Sequence, residues 1–321
     1  MKHNYEPKPL FIERMKELLG EGEFEKYWEK VQQPELRTIR VNTLKISVEE
    51  LKKRLEEKPW ILKQPFKKFP EILIVESELE PGELGRSLEH LLGYYYIQEL
   101  ASMLPAIALN PKPNEIVLDL CAAPGSKTTQ MSAMMQNEGT IIANDPSMGR
   151  IKILASNLER CGSANTIITR KKGEILCKKL KEQNFLIDKI LVDAPCSGEG
   201  TIRSTPKTLL MWNINNVKSL SGIQKHLLSN AIEILRVGGE LVYSTCTHAP
   251  EENEAVLDYV LKKFPDIKIE SLSLPIELKC SQGIKNWREK EFNEEVSKAC
   301  RIYSHITNTE GFFIAKLRKL K

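Results

Sequence analysis

Apolar and charged positions alternate at helical spacing from residue 9 to 33: Leu10, Phe11, Met15, Leu18 and Leu19, then Phe24, Tyr27, Trp28 and Val31, with Gly20 and Gly22 between them. The stretch Arg37-Thr38-Ile39-Arg40-Val41-Asn42 alternates as a strand does. Ser47, with Glu50 three residues on, reads as a capping box that opens a helix. Glu71-Ile72-Leu73-Ile74-Val75 reads as another strand. These elements predict a small α+β domain over residues 1–95. Residues 96–109 predict an apolar helix that stops at Asn110-Pro111, with Pro111 and Pro113 marking the junction.

A regular series follows over residues 96–321. Strands are predicted at 115–120, 140–144, 165–169, 188–193, 240–244 and 311–317. Helices are predicted from about 127, over 147–161, after 169, in a long region ending near 235, and over 252–264. Gly238-Gly239 punctuates the series before the strand at 240. Strands alternating with helices predict a parallel, doubly wound α/β sheet with right-handed crossovers.

The length of 321 residues accommodates one large domain and a smaller one. With 41% hydrophobic and 28% charged residues, the chain falls in the ordinary globular class rather than the disordered or membrane classes. The net charge of +4 permits an anionic partner without demanding one. The opening Met1-Lys2-His3-Asn4-Tyr5 is polar and leads no apolar signal core. No apolar run approaches the ~20 residues of a membrane span. A cytoplasmic protein with no membrane partner is expected. The seven cysteines include no C-x-x-C pair, so neither a disulfide framework nor a metal site is expected. Cys161, Cys177, Cys280 and Cys300 read as small buried hydrophobes.

Two other cysteines stand in chemically dense contexts, Asp193-Ala194-Pro195-Cys196 and Ser244-Thr245-Cys246-Thr247. Each follows an apolar strand, at the end where open α/β sheets bind ligands. A third element, Asp119-Leu120-Cys121-Ala122-Ala123-Pro124-Gly125-Ser126-Lys127-Thr128, also follows a strand and leads into a helix. A strand, a glycine turn and a helix start make a site for a nucleotide-like ligand. Neither a P-loop nor a G-x-G-x-x-G dinucleotide fingerprint is present. Asp145 ends the next strand about 20 residues after Gly125, where a carboxylate can accept both ribose hydroxyls. The alternative is that Asp145-Pro146-Ser147 only caps the following helix. An adenosine-containing ligand without a pyrophosphate fits, and S-adenosylmethionine is the natural candidate.

Four segments, Asp119 to Thr128, Asp193 to Gly200, Ser244 to Glu254 and Thr309 to Leu317, resemble the Nop/Sun family of RNA cytosine-5 methyltransferases. Arg40-Val41-Asn42 and Ile97-Gln98-Glu99-Leu100-Ala101-Ser102-Met103 are similar to that family's amino-terminal motifs. The likeness runs from about residue 37 to the carboxyl end and is strongest to the compact archaeal-type tRNA enzymes. It implies a Rossmann-like, seven-stranded S-adenosylmethionine-dependent methyltransferase sheet with an antiparallel last strand. A small RNA-recognition-like α+β domain would precede it.

By that resemblance, Cys121, Ala122, Ala123, Pro124, Gly125 and Lys127 would hold the cofactor's amino-acid end. Asp145 would take the ribose, and Arg150 and Asp193 would lie beside the cofactor. Carbon 5 of cytosine is too poor a nucleophile to take a methyl group unaided. A thiolate added at carbon 6 makes the ring enamine-like. Cys246 would be that thiolate and Cys196 would assist release of product. Asp193 would hydrogen-bond the edge of the target base, and Lys127 would supply part of the positive field that favours a thiolate. Pro195-Cys196 is also similar to the nucleophile motif of DNA cytosine methyltransferases, so the sequence does not rank the two thiols. One position departs from the family: Lys172 stands where an acidic residue usually meets the adenine amino group, leaving Glu174 or a backbone carbonyl to serve.

The partner implied is RNA, with tRNA first and ribosomal RNA as runner-up, bound by a monomer. The target base must be unpaired or flipped out. Arg203, Pro206, Trp212, Phe312 and Phe313 are candidates for the rim of the site. Lys63, Lys67 and Lys68, and the tail Lys316, Arg318, Lys319 and Lys321, are candidates for phosphate contact. Two rival classes are a non-catalytic RNA-binding or ribosome-assembly factor and a thiol hydrolase with His248 as base. The first needs no thiol pair. The second lacks a placed His and acid.

Overall fold

The computed structural model describes residues 5–275 and 277–321, so the polar opening Met1-Lys2-His3-Asn4 lies outside the described residues. Two helices come first, Pro9–Leu19 and Glu21–Val31, separated at Gly20 with φ of 81°. Glycine occupies that left-handed geometry at little cost. The sequence groups these helices with the first domain. They pack instead on the second half of the chain: Phe11, Met15, Phe24 and Tyr27 share a core with Ile202, Trp212, Val217 and Ala249.

A four-stranded antiparallel sheet follows, built from β1 (Thr38–Val41), β2 (Leu62–Lys63), β3 (Ile72–Val75) and β4 (Tyr95–Ile97) in the order β2-β3-β1-β4. The Ser47 half of the capping box forms, with Ser47 Oγ accepting the Glu50 amide at 3.1 Å at the head of the Val48–Glu56 helix. Leu51 and Leu55 of that helix meet Ile39, Val41, Leu73 and Tyr95 of the sheet. β4 is a difference from the predicted 96–109 helix. Tyr95, Tyr96 and Ile97 pair with β1, and the helix starts only at Leu100.

The second sheet has nine strands. β5 (Ile116–Asp119), β6 (Thr140–Asn144), β7 (Thr166–Thr169), β8 (Ile187–Asp193) and β9 (Leu235–Thr245) are parallel, in the order β7-β6-β5-β8-β9. Val117, Leu118, Ile190, Leu191, Leu241 and Val242 are wholly buried, as strands covered on both faces require. Five further strands complete the chain: β10 (Ile267–Glu270), β11 (Ser281–Gln282), the hairpin β12 (Asn286–Trp287) and β13 (Lys290–Glu291), and β14 (Cys300–Ile302), before the last strand β15 (Phe312–Lys319). β15 lies antiparallel on β9, and β10 pairs the far side of β15. These make the seven strands expected, and the short β14 and β11 extend the same edge to nine.

Gly238-Gly239 does not precede a strand; it lies inside β9, where the register shifts opposite β8. A Cβ on Gly239 would come within 2.9 Å of the Arg236 and Asp188 carbonyl oxygens. Cys161 and Cys177 are buried. Cys280 and Cys300 correct the expectation of free thiols: they form a disulfide with Cα atoms 5.4 Å apart, joining β14 to the segment before β11. Among the described residues no helix is long and apolar enough to cross a membrane. None of their His, Cys, Asp and Glu side chains cluster in threes to hold a metal.

Candidate active site

The parallel strands end on one edge, where the chain leaves β5 between β6 and β8, the switch point of an open sheet. From β5 the backbone turns through Cys121, Ala122, Ala123, Pro124 and Gly125, with a cis Ala123–Pro124 bond, into the Ser126–Met134 helix. Gly125 has φ of 105°, and a Cβ there would stand 2.9 Å from Leu154 Cδ1. The Ala122 amide donates to the Asn144 carbonyl at 2.8 Å. Asn144 Nδ2 donates to the carbonyls of Leu120 (3.1 Å) and Lys171 (3.0 Å), tying together the loops after β5, β6 and β7.

Two carboxylates face this turn with acceptor capacity unspent. Asp145 is fully buried: Oδ1 accepts the Ser147 amide at 2.9 Å, and Oδ2 has no hydrogen-bond donor, although the Arg150 guanidinium stands 2.9 Å away. Capping of the Met148–Cys161 helix falls to Ser147, not to Asp145. Arg150 also donates to the Ala123 carbonyl, so the two predicted cofactor residues are joined through the glycine turn. Asp119 Oδ2 accepts Thr128 Oγ1 at 2.7 Å, while Oδ1 is buried without a partner. Burial pushes the Asp119 carboxyl up to about 7. The Cys121 thiol is raised by burial and by the nearby Asp119, Asp193 and Asp145 carboxylates, so it stays protonated.

Cys196 and Cys246 meet at the ends of β8 and β9, with their sulfurs 3.2 Å apart. Cross-links hold the two turns together: the Gly200 amide donates to the Cys246 carbonyl at 2.9 Å, and the Ser197 and Thr247 hydroxyls are 2.8 Å apart. The Cys196 thiol is raised well above its ordinary value by its hydrogen bond with Cys246, by burial and by Glu252. Asp193 is fixed from both sides. Its Oδ2 accepts Lys127 Nζ at 2.7 Å and its Oδ1 accepts Ser244 Oγ at 2.7 Å. Lys127 is buried, donates also to Ser102 Oγ at 3.1 Å, and sits 5.3 Å over the Phe312 ring. The four predicted catalytic side chains thus form two contacting pairs at this edge, Cys246 with Cys196 and Asp193 with Lys127.

Other candidates land elsewhere. Arg203 is buried and donates to the Gln33, Pro34 and Thr309 carbonyls, so it clamps two distant chain segments rather than offering a rim. Trp212 is buried with Nε1 on Glu199 Oε1 at 2.8 Å, and Phe313 is core. Pro206 is only partly exposed. His248 stacks on Tyr303, and burial beside Arg301 pushes it down to about 3, a neutral ring with Nε2 unpartnered. Lys316 pairs with Glu240, Arg318 with Glu240 and Glu270, and Lys319 reaches the carbonyls of Ile232 and Leu235. That basic tail is thus mostly spent within the fold. Lys63 pairs with Glu76, while Lys67 and Lys68 are exposed. Lys172 is exposed at the head of the Gly173–Glu182 helix, with Glu174 in its first turn.

A residue the motifs did not single out also reaches the Cys196 turn. Gln224 Nε2 donates to the Pro195 carbonyl and to Glu252 Oε2, both at 2.8 Å. The only sequence signal for it is a polar residue on the apolar face of a predicted helix.

Comparison with known proteins gives the chain its family. Residues 106–318 match the family described as "16S rRNA methyltransferase RsmB/F", and residues 8–100 match the "N-terminal domain of 16S rRNA methyltransferase RsmF". The chain is 42% identical over 295 residues to the tRNA (cytosine(49)-C(5))-methyltransferase of Pyrococcus abyssi, covering 92% of each. It is 39% identical over 318 residues to ribosomal RNA small subunit methyltransferase F of Erwinia tasmaniensis, covering 97% of this chain but 63% of that protein. It therefore spans less than two thirds of that bacterial relative. Among solved structures, a methyltransferase homolog from Pyrococcus horikoshii matches with a TM-score of 0.84 and 38% identity, covering 98% of this chain and 95% of that one. NSun6 from Pyrococcus horikoshii, in its crystal structure with SFG, matches with a TM-score of 0.84 and 28% identity, covering 98% of both chains. The chain belongs to the RsmB/F (Nop/Sun-type) family of S-adenosylmethionine-dependent RNA cytosine-5 methyltransferases.

Proposed function

We propose that this protein methylates carbon 5 of a cytosine in tRNA, through a transient covalent bond from Cys246. The contact of two thiols at 3.2 Å, beside an Asp193 locked by Lys127 and Ser244, carries the reading. A packed interior needs no such set of groups at a sheet edge.

The residues at the β5 edge fit the methyl donor. The unspent oxygens of Asp145 and Asp119 are acceptors, and the donor's ribose hydroxyls and ammonium are hydrogen-bond donors. Asp145 with Arg150, the Cys121-to-Gly125 turn, Lys127 and Asp193 would hold it. When bound, it supplies an activated methyl group on a sulfonium. The chain's own residues do the rest. Asp193, oriented from both sides, accepts from the amino edge of the base and holds the ring in place for attack. Cys246 adds through sulfur to carbon 6, which places the electron pair on carbon 5. After carbon 5 is substituted, its proton passes to water and the C–H pair re-forms the ring double bond. The carbon–sulfur bond breaks with its pair returning to Cys246. Cys196 is the sulfur that keeps its proton, so it donates S–H to the departing Cys246 sulfur.

The tRNA reading is favoured by the Pyrococcus abyssi enzyme, alike over 92% of both chains. Both matched family descriptions favour ribosomal RNA as the second reading. Action as a monomer in the cytoplasm is part of the same reading.

Bisulfite sequencing of total RNA from cells with and without the gene tests the substrate. A site in tRNA lost on deletion is expected; one in ribosomal RNA selects the second reading, and an unchanged map overturns both. Cys246→Ala abolishes methylation. Cys196→Ala accumulates a protein–RNA adduct that survives denaturing electrophoresis. An adduct seen only with Cys246→Ala exchanges the two roles.

A further inference from the structure

The Ile214–Ile234 helix buries an apolar face of Val217, Leu227, Leu228 and Ala231, and Gln224 lies among them with no exposed surface. A buried amide costs free energy unless its hydrogen bonds are made. Gln224 Nε2 donates to the carbonyl of Pro195 in the Cys196 turn and to Glu252 Oε2, while its Oε1 has no partner. The same Oε2 accepts the amide of Ser197 at 3.0 Å. One residue on each side of Cys196 is therefore held by this pair. Glu252 is itself fully buried, and Tyr243 Oη donates to its backbone carbonyl at 2.5 Å. An apolar side chain would fill the Gln224 position at lower cost. Packing alone does not account for an amide and a carboxylate converging on one turn.

We infer that Gln224 and Glu252 are positioning residues of the release step, fixing the Pro195–Ser197 turn so that the Cys196 thiol stays in contact with Cys246. The inference rests on the thiol roles proposed above. Release breaks the bond between carbon 6 and the Cys246 sulfur, with the electron pair going to sulfur. A thiol held against that sulfur stabilises the leaving thiolate; a turn free to move by an ångström loses that contact. Burial pushes the Glu252 carboxyl up to about 7, and in its charged form it acts in the same sense, because it disfavours a thiolate at Cys196. Neither residue touches the base or the attacking thiol, so bond formation does not depend on them.

Gln224→Met keeps length and loses both donors. Glu252→Gln keeps an oxygen for the Ser197 amide and loses the charge. Each is assayed with unmodified tRNA transcripts and S-adenosylmethionine. In each, kcat falls about tenfold while the first-turnover rate of adduct formation and kcat/KM for RNA stay within about twofold. A denaturation-resistant protein–RNA band builds up at steady state. A merely structural defect moves adduct formation and turnover together, and that result, or an adduct fraction equal to wild type in both variants, overturns the inference. Cys196→Ala is run alongside. If it traps the adduct and the two variants do not, the positioning role alone falls; if Cys196→Ala traps none, the release role of Cys196 falls and takes this inference with it.

Discussion

The turns that carry Cys246 and Cys196 present their sulfurs to one point and are fastened by different chemistry. On the Cys246 side, three successive carbonyls are satisfied: Cys246 by the Gly200 amide at 2.9 Å, Thr247 by Asn253 Nδ2 at 3.0 Å, and His248 by Arg301 Nη1 at 2.9 Å. Arg301 is in turn held by Glu254 through Nε at 2.6 Å and Nη2 at 2.5 Å, and both side chains are almost wholly buried. The Cys196 side depends on a neutral amide and one carboxylate, Gln224 and Glu252. The Cys246 turn is thereby tied to a buried ion pair that the fold cannot give up. The other turn hangs on bonds that can be lost with the fold intact.

The largest test of this contrast is Arg301→Leu. It leaves Glu254 buried without its partner, which costs about 3–5 kcal/mol. Denaturant unfolding measures it, and a loss below about 1 kcal/mol would break the comparison, since surface pairs alone reach that value. Gln224→Met sharpens the other side. It leaves the Pro195 carbonyl and Glu252 short of one donor each, for about 1–2 kcal/mol of stability. An equal loss in the two variants would mean that both turns are equally structural.

The parts of this arrangement differ in how far the chain announced them. β5, β8 and β9 were legible because strands buried on both faces need unbroken apolar runs, as in Lys189-Ile190-Leu191-Val192. Cys121 to Gly125, Cys196 and Cys246 were legible because each is a short motif directly after such a run. β4 was hidden because Tyr95, Tyr96 and Ile97 adjoin an equally apolar helix, and only their pairing with β1 separates the two. Gly238-Gly239 marks a bulge rather than a break, a choice made by the register of β8. The Cys280–Cys300 link spans a sequence separation of 20 residues and follows from how β11 lies on β14. Arg203, Arg318 and Lys319 look like surface charge in the sequence; their acceptors come from distant segments. Gln224 and Arg301 were missed for the same reason, since a buried polar side chain is defined by partners far along the chain.

A further effect concerns pH and singles out the Cys196 side again. Glu310 Oε1 accepts the Ser204 amide at 2.8 Å, and the adjoining Gly311 amide donates to the Gly200 carbonyl at 2.8 Å, so Glu310 supports the loop that continues from Cys196. Burial and the neighbouring Glu99 and Glu35 push its carboxyl up to about 8 from an ordinary 4.5. The folded protein holds this proton more tightly than the unfolded chain does. Stability from this group is therefore complete below about 4.5 and is lost as pH rises toward 8. Asp119 acts in the same direction, and His248, pushed down to about 3, acts in the opposite one, losing stability as pH falls below its ordinary 6.5. The difference between wild type and Glu310→Gln isolates the one group, because the other two are common to both. Glu310→Gln flattens the decline between pH 5 and 8, each unit of raised pKa being worth at most about 1.4 kcal/mol. Thermal midpoints taken across that range check it. Parallel curves for the two proteins would show that Glu310 is ionised in the folded state, and that the loop beyond Cys196 is held as firmly at high pH as the Arg301-anchored turn.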